Sequence, residues 1–101
     1  MAITSQMSSD GSQLIISVQG RFDFSSHQDF RGVYESLETA PEAYVIDMSE
    51  TSYLDSSALG MLLLLRDYAG GNAANIAIVN ANADVKKILS ISNFEQLFNI
   101  E

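Results

Sequence analysis

Three short apolar runs alternate in this chain with segments whose apolar residues recur every three or four positions, and that alternation is its strongest structural constraint. Residues 13–19 place Leu14, Ile16 and Val18 on one side and Ile15, Ser17 and Gln19 on the other, the period of a strand. Residues 43–47, Ala-Tyr-Val-Ile-Asp, and 75–79, Asn-Ile-Ala-Ile-Val, lack that alternation and are rich in β-branched residues, as in strands buried on both faces. Between them, Phe30, Val33, Tyr34 and Leu37 mark one helix. A dense apolar stretch from about Ser56 to Ala69, stopped by Gly70-Gly71, marks a second, and Val85, Ile88 and Leu89 a third. Ahead of these, residues 3–8 and 13–19 flank Asp10-Gly11, a strong hairpin signal. Residues 20–24 and 48–54 read as loops. Ser25 with Gln28, and Ser92 with Glu95, have capping-box spacing, the second pair opening a short last helix around Phe94, Leu97 and Phe98. The predicted order is β-β-α-β-α-β-α-α. It describes a mixed sheet with parallel central strands, flanked by about four helices that cover one face more than the other.

A chain of 101 residues fits one compact domain, expected over residues 1–101. With 47% hydrophobic residues it can build a real core. Thirteen acidic against five basic residues give a formal charge of −8. That balance argues against nucleic acid, which demands basic patches, and against anionic membrane surfaces, and it favours basic partners. The chain has no cysteine, which removes thiolate zinc sites and thiol catalysis and fits a cytoplasmic protein. Residues 1–11 lack the basic and apolar stretches of a signal peptide. The run from Ala58 to Leu65, interrupted by Gly60, is too short to span a bilayer.

The chemistry concentrates in Tyr53-Leu54-Asp55-Ser56-Ser57-Ala58-Leu59-Gly60, where a loop after a buried strand meets the start of a helix. Small hydroxyl and carboxylate residues crowd that start. One reading is structural, with Asp55, Ser56 or Ser57 as the N-cap and the others filling the first turn. The other is a phosphorylation site. A helix N-terminus offers free N–H donors and the positive end of the dipole, and a phosphate adds roughly −1.5 to −2 charges near neutral pH.

These eight residues, following a strand that ends in Asp47, resemble the signature of STAS-domain anti-sigma factor antagonists. Gly20-Arg21-Phe22-Asp23 is similar to the family's Gly-x-(Leu/Phe)-Asp loop, and the likeness runs from about residue 4 to 99. Ala58 departs from the glycine common there, a harmless change in a helix. The resemblance implies that Ser56 is the phosphoacceptor, that Ser57 keeps the capping role, and that Asp23 lies near the same surface. It implies partner switching. The unphosphorylated chain binds an anti-sigma factor or equivalent regulator, a serine kinase (often that partner) phosphorylates Ser56 and breaks the complex, and a serine phosphatase restores it. ATP and magnesium belong to those enzymes, so the chain itself needs no cofactor and is not an enzyme.

On a wheel of 3.6 residues per turn, Ala58, Met61, Leu62, Leu65 and Ala69 share the core face, while Leu59 and Leu63 fall in another sector near Arg66 and Asp67. Either loops cover these two leucines or they form an exposed strip running from Ser56, a natural anchor for a partner. The expected partner-binding set is Asp23, Asp55, Ser56, Ser57, Leu59 and Leu63. No larger apolar surface is evident, which points to a monomer. His27, the single histidine, reads as a solvated surface residue, and Arg21 as a partner for a carboxylate or a phosphate. The scattered carboxylates have no metal-site spacing. The competing reading is a STAS subunit that docks constantly in a larger complex such as a lipid-transport assembly, its serines acting only as caps.

Overall fold

Four parallel strands and one antiparallel edge strand form the main sheet of the computed structural model, which describes residues 3–101. Strand β1 (Ile3–Met7) pairs antiparallel with β2 (Gln13–Val18). The turn between them is tied by Asp10, whose carboxylate accepts from the Ser12 N–H and from the Ser8 and Ser12 hydroxyls. Gly11 supplies the positive φ of 75° that this turn needs. Strands β4 (Ala43–Asp47), β6 (Ile76–Val79) and β7 (Asn99–Ile100) follow in parallel, giving the order β1-β2-β4-β6-β7. A second, two-stranded parallel sheet joins β3 (Gly20–Phe22) to β5 (Thr51–Leu54). The Thr51 hydroxyl donates to the Val18 carbonyl at 2.8 Å, so this buried polar side chain is satisfied while it links the two sheets.

Three α-helices, α1 (His27–Glu35), α2 (Ser56–Tyr68) and α3 (Ala83–Ile91), share one core with one face of the main sheet. Leu14, Ile16, Val18, Ile46 and Ile78 of the strands meet Phe30, Leu62, Leu65, Val85 and Leu89 of the helices there. The hairpin, the central strands and the three helices thus stand where the periodicity put them.

Several local expectations are corrected. Residues 20–22 and 51–54 are strands, not loops; each is short and non-alternating, and only pairing with the other makes it a strand. The last helix is one 3₁₀ turn (Phe94–Gln96). Asn93 sits in the left-handed region at φ 60°, which breaks the path from α3, and the chain then runs into β7 at the sheet edge. Neither capping box forms. Ser25 gives its hydroxyl and N–H to Asp23, so a 3₁₀ turn (Phe24–Ser26) precedes α1, and Ser92 closes α3 instead of opening a helix.

Candidate functional site

The two motifs separated by thirty residues in sequence lie side by side because β3 and β5 pair. Arg21 stands opposite Tyr53 and Phe22 opposite Leu54, and the Asp55 N–H donates to the Phe22 carbonyl at 3.4 Å. Asp23 and Asp55 therefore leave the strands next to one another, close enough that Asp55 feels the charge of Asp23.

Each segment then turns on its aspartate, Asp23 into a 3₁₀ turn and Asp55 into α2. The Asp23 carboxylate accepts from the N–H and hydroxyl of Ser25. That of Asp55 accepts from the Ser57 hydroxyl at 2.6 Å and the Ala58 N–H at 3.0 Å. In each Asp-x-Ser unit the middle residue, Phe24 or Ser56, is left pointing outward and exposed. The hydrogen bonds hold both acids ionised. The Ser57 hydroxyl, then the Ala58 N–H, keep Asp55 below the usual carboxylate range, outweighing desolvation and the like charge of Asp23. The Ser25 hydroxyl and N–H do the same for Asp23, helped by Arg21.

The N-cap of α2 is Asp55, which corrects the capping role expected of Ser57; that hydroxyl is a donor to the cap. Aspartate wins because its carboxylate accepts from the hydroxyl and from the backbone at once. Ser56, the first residue of the helix, is exposed, and its hydroxyl makes no hydrogen bond among the described residues.

From Ser56, successive turns bring Gly60, Leu63 and Asp67 into the same outward sector. A Cβ added at Gly60 would meet nothing, so the helix backbone there is open to close approach. Leu63 is 41% exposed, as the exposed-strip reading requires, but Leu59 leans into the core and is partly buried. Leu64 and Tyr68, at 51% and 52% exposure, extend the apolar surface on the other side, toward α1. The sequence reading missed both. On the wheel they stand beside the core residue Met61, at the edge of the face that meets α1. Tyr68 packs against Tyr34, their ring centroids 5.0 Å apart, at a shallow depression lined also by Arg31, Glu35 and Leu64.

An aromatic rim completes the surface. Phe24 is 70% exposed and stacks on His27 at 5.5 Å, so His27 is a packing partner and not a freely solvated side chain. The Arg21 guanidinium lies 4.5 Å from the centre of the Tyr53 ring and 3.5 Å from Asp23. Arg66 is occupied elsewhere, donating to the Leu97 carbonyl and to Asn72. No helix of the described chain is long and apolar enough to cross a membrane.

The family model described as "Mlab, STAS domain" matches residues 5–99. A STAS-domain containing protein of Pseudomonas aeruginosa (strain UCBPP-PA14) is 60% identical over 100 residues, which cover 99% of both chains. Among solved structures, the STAS domain of an anti-sigma factor antagonist from Rhodobacter sphaeroides is 31% identical, with a TM-score of 0.54 over 77% of this chain and 84% of that one. The anti-sigma factor antagonist SpoIIAA in its unphosphorylated form shares the fold, with a TM-score of 0.72 at 16% identity, over 99% of this chain and 87% of that one. A matched model over nearly the whole chain, and a relative identical at more than half of its positions, place this protein in the STAS-domain family.

Proposed function

We propose that this chain is an anti-sigma factor antagonist that works by partner switching. Its unphosphorylated form binds an anti-sigma factor or equivalent regulator through Asp23, Asp55, Ser56, Ser57 and Leu63, with Leu64 and Tyr68 added and Leu59 only at the margin. A serine kinase phosphorylates Ser56 and releases the partner, and a serine phosphatase resets the chain. The protein acts in the cytoplasm as a single monomeric domain spanning residues 1–101, and it performs no catalysis of its own.

The observation that carries this reading is the freedom of Ser56. A serine kept for structure at a helix start would be the cap, yet Asp55 fills that role and the Ser56 hydroxyl is exposed and unbonded. It sits at the head of an exposed Leu63–Leu64–Tyr68 surface. The test is peptide mass spectrometry of the chain purified from its host, with Ser56→Ala as control, joined to partner pull-down by Ser56→Ala and Ser56→Asp. Phosphate on the Ser56 peptide, with capture by Ser56→Ala and not by Ser56→Asp, supports the switch. No phosphate under several growth conditions, with equal capture by both variants, replaces it with the constantly docked subunit.

A further inference from the structure

The main sheet has a second face on which none of the three helices packs, and where Ala43 is buried but Val45 and Asp47 of the same strand are partly exposed. Parallel sheets ordinarily bury both faces, and their strands read as continuous apolar runs for that reason. Strands β4 and β6 have such runs. In the structure all three helices pack on one side only. Ile15, Val45, Ala77 and Val79 are partly exposed and lie outside the core cluster. The register aligns Ile15 with Val45 and Val45 with Ala77 across three neighbouring strands. At about 4.8 Å per strand spacing this is an apolar band about 10 Å wide, the width of one helix.

The charges beside this band have one sign. Asp47 lies one pleat beyond Val45 on the same face, between Ser17 and Val79. Glu50 joins Asp47, Thr4, Ser17 and Ser49 around a depression of about 250 Å³. Glu101 follows β7, exposed at the same end. The five cations of the chain stand on β3 (Arg21), α1 (Arg31), α2 (Arg66) and α3 (Lys86 and Lys87), and none is on a strand of the main sheet.

We propose that this face is a second docking surface, and that its occupant is an amphipathic helix of a partner protein with an apolar ridge flanked by lysine or arginine. The ridge fills the band over Val45, and the cations meet Asp47, Glu50 and Glu101. A second copy of this chain would set the same carboxylates against one another, and an anionic membrane or nucleic acid would be repelled. The surface lies across the sheet from α2, so it is independent of the Ser56 reading and leaves that surface free for its own partner.

The test is an NMR titration of the isotope-labelled full chain with a synthetic amphipathic helix of about five turns, leucine-ridged and lysine-flanked, and with its twin carrying glutamate for lysine. Saturable shifts at Ile15, Ser17, Val45, Asp47, Ala77 and Val79 are expected with the lysine peptide and none with the twin. Asp47→Asn and Glu50→Gln should each weaken binding about threefold, and Val45→Thr, which keeps a β-branched residue on the strand, should weaken it further. The proposal is overturned by shifts centred on α2, by the absence of saturable shifts, or by equal binding of the two peptides. Shifts on the sheet face that follow protein concentration, with a doubled mass in sedimentation, would replace the partner helix with a second copy.

Discussion

Replacing Ser56 by alanine separates a structural serine from a free one by the sign of a stability change. If Ser56 capped α2, alanine would remove the acceptor for an orphan N–H and cost about 1 kcal/mol. In a domain of this size that lowers the melting temperature by roughly 4–8 °C. The geometry gives the opposite sign. Asp55 holds the Ala58 N–H at 3.0 Å, and the Ser56 hydroxyl has no bond to lose. What changes is helix propensity, in which alanine exceeds serine by up to about 0.5 kcal/mol. Because Ser56 is the first helical residue, the gain falls between zero and that value, a rise of at most about 4 °C. The assay is thermal and urea unfolding of the unphosphorylated protein, with Asp55→Ala as the comparison that does remove the cap and therefore lowers the midpoint. A loss by Ser56→Ala as large as that of Asp55→Ala would refute the assignment of the cap. It would also remove the main support for Ser56 as a modification site. The expected result makes Ser56→Ala a clean reagent, since any change in partner binding then has no stability component.

Neighbouring leucines on α2 should behave oppositely. Leu62→Ala, at a fully buried position, is expected to cost 2–5 kcal/mol, whereas Leu63→Asp, at an exposed one, should cost less than about 1 kcal/mol while abolishing partner capture; unfolding midpoints and pull-down measure both, and a large stability loss at Leu63 would show that it is core. Acid should destabilise the fold, because Asp10, Asp23, Asp47 and Asp55 are all held below the usual carboxylate value, Asp10 at about 2 by the Ser12 N–H and the Ser8 and Ser12 hydroxyls. A depressed folded pKa means that the unfolded chain takes up protons first, so this stability is present above the ordinary value of 3.8 and is lost as the pH falls toward about 2. Melting temperature followed between neutral and acid pH should therefore fall, and fall less steeply in Asp10→Asn; a rise on acidification would mean that relief of the −8 net charge outweighs the capping bonds.

What was legible in the sequence was what is locally encoded. Strands β2, β4 and β6 and the helical stripes declare themselves within a few residues through side-chain period. Strands β3, β5 and β7 have three, four and two residues. Their existence is a fact about pairing with distant segments, such as Phe22 with Leu54, and no window of sequence contains it. The caps failed for a different reason. Spacing rules picked Ser25 as a cap, but an aspartate two residues earlier takes its hydroxyl as a donor. At α2 the same competition turned Ser57 from cap into support. Leu59 turned out to pack on the core and Leu64 to be exposed, because exposure depends on the neighbouring elements, and a helical wheel holds no such information.

The chemistry of the surface also constrains how the proposed switch must release its partner. A chain of net charge −8, with Asp23 and Asp55 already ionised beside Ser56, favours a basic surface on the proposed partner. Adding a phosphate of −1.5 to −2 charges to such a site strengthens attraction to a basic surface at long range, so simple repulsion gives the wrong sign. Release has to come from contact. Ser56 shares its sector of α2 with Gly60 and Leu63, where the bare backbone invites close approach and the leucine demands a dry one. A doubly charged group placed at the head of that apolar strip must be stripped of water for the partner to seat, and burying an unpaired charge costs far more than the leucine contact contributes. A partner carrying an arginine placed to meet the phosphate would escape that penalty. It follows that partners released by phosphorylation are those that set apolar groups against Gly60 and Leu63, and that a partner bringing a guanidinium to Ser56 would be gained by the same modification.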